Sequence, residues 1–204
     1  SKTIHEMIVA DNGLHRQLNA NGYFWATALY GLQCVYFLSL RKFFDPDNRS
    51  HRFDKLIALC EDHISVFSKA SLAKRREGDF KHRDDLKAYV QNAFVPQKEY
   101  FEQFRLKVAQ ELDGLNFRDV YRKIADKIIA HNEVVRQPKI DDMFADTDIV
   151  EAEAILLLMQ RIATGFWSLW TNGHELDLTT TRFPLSQLVV DDTRRALSGK
   201  KRGA

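Results

Sequence analysis

Residues 117–128, FRDVYRKIADKI, carry the spacing that decides the fold. Their apolar side chains recur at intervals of three and four residues, at Phe117, Val120, Tyr121, Ile124 and Ile128. An α-helix turns about 100° per residue, so this spacing gathers them on one face. Asn116 precedes the stripe as a candidate N-cap, and Asp119 lies in the first turn, where a carboxylate is favourable. The segment therefore predicts an amphipathic helix that packs its apolar face on other helices.

Five other segments show helical spacing and extend this prediction along the chain. The first covers residues 22–44, and the second runs from residue 53 into a polar stretch at 68–85. The third covers residues 86–94, the fourth begins at Pro96, and the fifth covers residues 148–171. We expect the polar stretch to be an exposed connection or a helix end. No stretch before residue 175 shows the sustained alternation of a strand. Helices joined by short loops predict an all-α fold, an antiparallel bundle of about five to six helices.

Length and composition indicate one globular domain. The chain has 204 residues, of which 45% are hydrophobic and 28% charged, and this excludes wholesale disorder. We predict a single helical domain over residues 1–204 with a poorly ordered tail from about residue 198. The net charge of +2 argues against a binder of bulk polyanions and leaves room for a local basic patch.

Two of the predicted helices are apolar on more than one face. Residues 23–40 contain no formal charge, and residues 152–170 are nearly as apolar. The first segment reaches only the lower edge of a membrane span, and polar side chains such as Gln33 interrupt it. We therefore predict a central helix buried on nearly all sides and no membrane association. Together the two helices exceed what one small bundle covers, so we also predict a homodimer.

The cysteines and the first residues predict a cytoplasmic location. Cys34 and Cys60 lie in apolar stretches without a partner pattern, which favours free thiols in a reducing compartment. Residues 1–13, SKTIHEMIVADNG, contain no apolar core of signal-peptide length and no small-residue cleavage site.

We predict neither a metal nor a cofactor. The sequence contains no glycine-rich phosphate loop, no nucleophile elbow and no two-histidine metal motif. Cys60 and His63 stand three apart, but no second pair follows at zinc spacing. We interpret the aspartates of residues 141–148 as part of a solvated loop and as helix caps, not as a cation site.

The end of the helix that holds residues 117–128 contains the candidate site. His131 falls on the apolar stripe, with Lys127 on the same side, while Arg122 and Asp126 are four apart and can form an ion pair. A histidine near a helix C-terminus is favoured in its protonated form and can act as an acid or base near neutral pH. Spacing alone favours the alternative, a core histidine hydrogen-bonded to a neighbour.

Two short stretches carry a family resemblance. Residues 126–131, Asp-Lys-Ile-Ile-Ala-His, resemble the signature of HEPN domains (higher eukaryotes and prokaryotes nucleotide-binding), most nearly the abortive-infection U-type branch. Residues 40–45, Leu-Arg-Lys-Phe-Phe-Asp, are similar to a helix end of that branch, with Arg41 four residues before Asp45. The resemblance implies a small HEPN-like helical bundle that is a metal-independent ribonuclease or toxin. It also implies a homodimer that builds its site at the interface, and an antitoxin or nucleotidyltransferase as a partner protein.

The resemblance also implies roles for the site residues. His131 takes a proton from an RNA 2′-hydroxyl or protonates the leaving oxygen, and Lys127 or Arg122 steadies the charge on the phosphorane. Asp126 matches the polar residue of the family motif, but Ala125 stands where the motif has an arginine. Two functions therefore stay open. One is a ribonuclease acting as a toxin or phage-defence effector, and the other is a non-catalytic dimeric binding or regulatory module that has lost this arginine.

The sequence predicts no surface for reading bases. The basic run at residues 74–76 is typical of a solvated face, and we expect no exposed aromatic platform.

Overall fold

The computed structural model describes residues 19–44, 52–126, 144–179, 191–192 and 195. Seven α-helices and no strand occur in these ranges. The helices are α1 Gly22–Phe44, α2 Phe53–Asp62, α3 Lys69–Arg76, α4 Arg83–Gln91, α5 Lys98–Gly114, α6 Arg122–Ile124 and α7 Ile149–Asn172. Short 3₁₀ turns occupy Ile64–Phe67 and Glu77–Asp79, and a π-helical turn, Phe117–Tyr121, leads into α6. The predicted all-α bundle is confirmed.

The chain divides into two compact units, Ser1–Ser39 with Arg182–Ala204, and Leu40–Thr181. Within the second unit α2 packs on α5, and α3 packs on both α4 and α7. The predicted single domain over residues 1–204 stays a prediction, and the predicted tail from residue 198 lies outside the described residues.

Phenylalanine rings form the centre of the second unit. Phe101 of α5 stacks on Phe166 of α7, with ring centroids 6.1 Å apart. Phe104 meets the same Phe166 edge-on at 5.7 Å and contacts Phe53 of α2 at 6.1 Å. These rings are all buried, and offset or edge-on pairs of this kind add to the free energy of their burial. Phe101 and Phe104 therefore lie on the inner face of α5.

Helix α1 has the predicted bounds but not the predicted burial. Within residues 23–40 only Phe37 and Leu40 are buried, whereas Tyr23 is 94% exposed. Further large apolar side chains of this helix are exposed: Phe24, Tyr30, Leu32, Val35 and Leu38. The prediction of a helix covered on nearly all sides is therefore wrong, because apolar composition reports a preference for burial and not the presence of a neighbour. None of the described helices is long and apolar enough to span a membrane.

The polar stretch at residues 68–85 contains a helix that the sequence did not predict. Helix α3 begins after Ser68, whose Oγ accepts a hydrogen bond from the Ser71 N–H at 3.3 Å. Leu72 is its one buried residue, at 2% exposure. One buried apolar side chain gives no periodic pattern in the sequence. The prediction that residues 68–85 form an exposed connection or a helix end is therefore corrected, because they contain helix α3. The neighbouring α4 also begins earlier than predicted, at Arg83.

Helix α7 begins and ends where the sequence predicts. Asp148 caps it by accepting a hydrogen bond from the Val150 N–H at 2.6 Å. Gly173 ends it in the left-handed conformation, at φ 66°, and donates its N–H to the Leu169 carbonyl. Asn116 occupies the predicted N-cap position, here of the π-helical turn, but its side chain makes no capping hydrogen bond. It adopts φ 51°, and its side chain donates to Glu151 Oε1 at 2.9 Å instead of capping the turn that follows.

Candidate functional site

Asp126 pairs with two arginines from different parts of the second unit. Arg41, near the end of α1, places its Nε 2.8 Å from Asp126 Oδ1. Arg122, one turn before Asp126, places its Nε 3.5 Å from Oδ2. The three side chains are between 30% and 40% exposed, so the group is open to water. We call these residues the Arg41–Asp126–Arg122 cluster, which by itself carries one net positive charge.

Apolar contacts on either side of the cluster bring its two segments together. Leu40, next to Arg41, is fully buried. Three residues beyond Arg41, the Phe44 ring packs edge-on against Phe117 with centroids 5.1 Å apart. On the other segment Ile124 is buried at 1% exposure. The end of α1 is thereby held against the π-helical turn, a kind of turn that is frequent at functional sites.

Tyr121 fixes the same segment to the start of α7. Its side chain is fully buried, and its hydroxyl donates to the Asp148 carbonyl at 2.8 Å. The hydroxyl oxygen accepts from the Asp148 N–H at 3.1 Å and lies 3.2 Å from Glu151 Oε2. Burial, helped by the nearby Glu151 carboxylate, raises the pKa of Tyr121 to about 12. Asp148 caps α7 and Glu151 lies in the first turn of that helix, so Tyr121 contacts both residues at the helix start.

Two of the predicted site residues lie within the described chain. Arg122 and Asp126 form the predicted ion pair four residues apart. Lys127 and His131 lie outside the described residues, so their predicted positions and the roles assigned to all four residues stay predictions.

Arg41 is the site residue that sequence reasoning did not select. The chain carried a signal for it, because Arg41 belongs to the 40–45 stretch that resembles the abortive-infection branch. Its partner Asp126 is 85 positions away, however, and no periodic pattern reports a contact over that separation.

Ala125 occupies a position that water does not reach. It is fully buried, next to the partly exposed Asp126. An arginine at this position would direct its charge into the apolar core, which is strongly unfavourable. In this chain the guanidinium groups beside Asp126 belong to Arg41 and Arg122.

The cysteines and the acidic residues give no ligand cluster in the part of the chain that is described. No group of three or more His, Cys, Asp or Glu side chains there is arranged to hold a metal ion. Cys34 and Cys60 are free thiols, as predicted. Burial raises the pKa of Cys60 to about 11, which keeps this thiol protonated and unreactive.

Comparison with known families supports the resemblance drawn from the two short stretches. The sequence model of the family HEPN_AbiU2, described as AbiU2, matches residues 3–196. That range contains both residues 40–45 and residues 126–131, so one match covers the whole Arg41–Asp126–Arg122 cluster. No curated protein and no solved structure gives a significant match.

Proposed function

The chain belongs to the AbiU2 family of HEPN domains, and from this membership we propose that it is a ribonuclease acting as a toxin or phage-defence effector in the cytoplasm. The Arg41–Asp126–Arg122 cluster carries this proposal. In sequence the cluster ends directly before Lys127, and His131 follows five residues after Asp126. Two guanidinium groups on one partly exposed carboxylate form a site suited to an anionic substrate.

The cluster supplies the phosphate-binding part of the proposed site. Arginine presents a planar fork of N–H donors that matches two phosphate oxygens. Asp126 acts as a positioning residue, since it accepts a hydrogen bond from Arg41 and forms an ion pair with Arg122. Arg41 and Arg122 then stabilise the negative charge that develops on the phosphorane.

His131 supplies the proton transfer. It takes the proton from the RNA 2′-hydroxyl, and the 2′-oxygen then attacks the adjacent phosphorus. The bond between phosphorus and the 5′-oxygen breaks, the leaving oxygen takes up a proton from water, and that water receives the proton held by His131. The products are a 2′,3′-cyclic phosphate and a 5′-hydroxyl, and the reaction needs no metal ion or cofactor.

The proposed assembly is a homodimer, with an antitoxin or nucleotidyltransferase as a further partner. Exposed apolar side chains on α1 support the dimer, among them Leu32 at 64% and Val35 at 61% exposure. Light scattering tests it: we expect twice the chain mass at micromolar concentration, and a Leu32→Glu, Val35→Glu variant should be monomeric. A wild-type chain that is monomeric at that concentration contradicts the dimer.

Cleavage of single-stranded RNA tests the proposed activity. We expect the wild-type protein to cut it in the presence of a chelator and to leave a 2′,3′-cyclic phosphate. His131→Ala should lower the rate about 100- to 10,000-fold, the usual cost of losing an acid–base group. Arg105→Ala is the control, since Arg105 is exposed and lies on α5. Unchanged cleavage by His131→Ala, or cleavage that a chelator abolishes, contradicts the mechanism.

A second candidate function rests on Ala125. The motif arginine is missing, and the alanine in its place is fully buried next to Asp126. A chain that keeps the fold and binds its partner without cutting RNA is therefore the alternative, a non-catalytic dimeric binding or regulatory module. A wild-type protein that binds RNA or a partner but shows no cleavage would favour this function over the ribonuclease.

A further inference from the structure

Helices α3 and α4 border a basic cleft in the second unit. Its volume is about 800 Å³. Five basic or titratable nitrogen-bearing side chains line it: Lys74, Lys81, His82, Arg83 and Lys87. Glu77 is the acidic residue of the described lining. Such a surface is suited to an anionic ligand and not to a cationic one.

Several of these cations are available to a ligand. In the described ranges Lys74, Lys81 and Arg83 form no ion pair, and all three are exposed. Lys87 is different, because its Nζ lies 3.0 Å from Asp84 Oδ1. A ligand phosphate therefore meets three cations that pair with no carboxylate of the described residues.

The positive charge of the chain is concentrated in this region. Residues 68–91 contain seven Lys and Arg against four Asp and Glu, which leaves a net charge of +3. The whole chain carries +2, so the rest of the molecule is slightly acidic. The small net charge of the whole chain therefore does not reveal the basic surface at residues 68–91.

An exposed aromatic pair lies on the other side of α3. Trp167 and Trp170, near the end of α7, are 66% and 43% exposed, with ring centroids 6.0 Å apart. The guanidinium of Arg75 lies over the Trp170 ring at 5.0 Å, and Arg75 also donates to the Val66 carbonyl at 2.7 Å. The expectation that no aromatic platform is exposed is therefore wrong. Exposed indoles are surfaces on which nucleobases stack.

Helix α3 joins the cleft to the tryptophan pair. It has eight residues, so it is about 12 Å long. Leu72 points into the core, and Lys74 is about 200° further around the axis, on the outermost line of the helix. The cleft lies on one side of that line and Arg75 on the other, so a strand of a few nucleotides can cross from one to the other.

We propose that this surface, made of Lys74, Lys81, Arg83, Trp167 and Trp170, binds single-stranded nucleic acid. The three cations bind backbone phosphates in the cleft, and the indoles stack on bases. The inference deepens the proposed function and rests on it for the identity of the strand as RNA. The surface is distinct from the Arg41–Asp126–Arg122 cluster, so it holds the strand and takes no part in its cleavage.

Fluorescence anisotropy of the full chain tests the cleft. The probe is a fluorescein-labelled 2′-O-methyl oligouridylate of about 16 nucleotides, which provides no 2′-hydroxyl to attack. Binding is therefore measured whether or not the protein is a nuclease. A Lys74→Ala, Lys81→Ala, Arg83→Ala variant should bind at least about tenfold more weakly, with a salt slope smaller by about 2. The control removes the same charge from other exposed positions: Lys55→Ala, Lys98→Ala, Arg105→Ala.

Changes at the tryptophans test the stacking. Trp170→Ala should weaken binding of the probe about 5- to 150-fold, and Trp170→Phe should keep most of the affinity. Binding should also quench the indole fluorescence of a variant in which Trp25 is replaced by Phe, leaving Trp167 and Trp170 as its tryptophans.

Three outcomes would overturn the inference. One is equal affinity of the cleft variant and its charge-matched control while both remain folded by circular dichroism. Another is tighter binding to an acidic peptide such as polyglutamate than to the oligouridylate, which would identify a protein partner instead. A third is unchanged affinity in Trp170→Ala. Loss of RNA cleavage in His131→Ala with full binding of the probe would support both the site and this separate surface.

Discussion

Arg41 Nε lies 2.8 Å from Asp126 Oδ1, and this ion pair joins the end of α1 to a residue 85 positions further along the chain. Both side chains are about one-third exposed, so water screens the pair and its contribution to stability is small. In the proposed nuclease this ion pair holds the Arg41 guanidinium at the place where the substrate phosphate binds.

Arg41→Ala should therefore lower the rate of RNA cleavage and leave the stability of the fold nearly unchanged. We expect the free energy of unfolding to change by less than about 1 kcal/mol, since exposed pairs contribute no more than that. RNA cleavage should fall about 100-fold, a typical loss when a group that stabilises transition-state charge is removed. Arg41→Lys should recover only part of the rate, because an ammonium cannot replace the planar fork. Urea titration and a cleavage assay measure the two effects, and a large loss of stability with unchanged cleavage would contradict the assignment.

Ala125→Arg should destabilise the fold, although it introduces the residue that the family motif has at this position. Ala125 is fully buried, and an unpaired buried charge costs about 3 kcal/mol or more. We expect urea titration to show a loss of at least that size, or no folded protein. Lys123→Arg is the matched control, because the Lys123 side chain is 57% exposed and already pairs with Asp119. A stable, fully folded Ala125→Arg variant would show that the core at this position can open.

Helix positions were predictable where several local signals coincide. At α7 a capping aspartate, a long apolar run and Gly173 act together, and the helix follows those bounds. The apolar run that ends shortly before Pro46 predicted both ends of α1. Helix α3 was missed because Leu72 is its one buried residue, and because the residues of α7 that it packs on lie far away in sequence.

The candidate site was predictable only where its residues are close in sequence. Arg122 and Asp126 are four apart, so helical geometry alone predicts their pairing. Arg41 reaches Asp126 through packing of Phe44 on Phe117, a tertiary contact that leaves no periodic trace. The exposed tryptophans were likewise not predicted, because a pattern of apolar residues does not show which face of a helix a neighbour covers.

Tyr121→Phe should destabilise the link between the π-helical turn and α7. The hydroxyl exchanges hydrogen bonds with both the N–H and the carbonyl of Asp148, and its removal leaves these groups without that partner. The carbonyl still accepts from the Ala152 N–H at 2.9 Å, so the Asp148 N–H is the group that loses its partner, at a cost of about 1–3 kcal/mol. Urea titration measures the loss. Tyr23→Phe, at a side chain that is 94% exposed, should change nothing.

The stability of the wild-type protein should also fall at alkaline pH. Burial raises the pKa of Tyr121 from its ordinary value of 10 to about 12, so the unfolded chain releases this proton first. The stabilisation is complete below pH 10 and is lost as the pH rises from 10 toward 12. Burial raises the pKa of Tyr100 to about 12 in the same way. Tyr121→Phe should therefore show a shallower decline over this window than the wild type, and an equal decline would mean that Tyr121 does not contribute.

Gly173→Ala and Gly31→Ala should change stability in opposite directions. Gly173 has φ 66°, and a Cβ there would lie 2.7 Å from Ala93 Cβ and 2.9 Å from Leu72 Cδ2. Strain and overlap together should cost about 1–3 kcal/mol, and the hydrogen bond from the Phe94 N–H to the Gly173 carbonyl should weaken. Gly31 lies within α1 with no atom within 4 Å of an added Cβ, so alanine should stabilise that helix by up to about 1 kcal/mol. Thermal unfolding of the two variants against the wild type decides the matter, and a Gly173→Ala protein as stable as the wild type would show that α3 and α7 do not pack at Gly173 as closely as described.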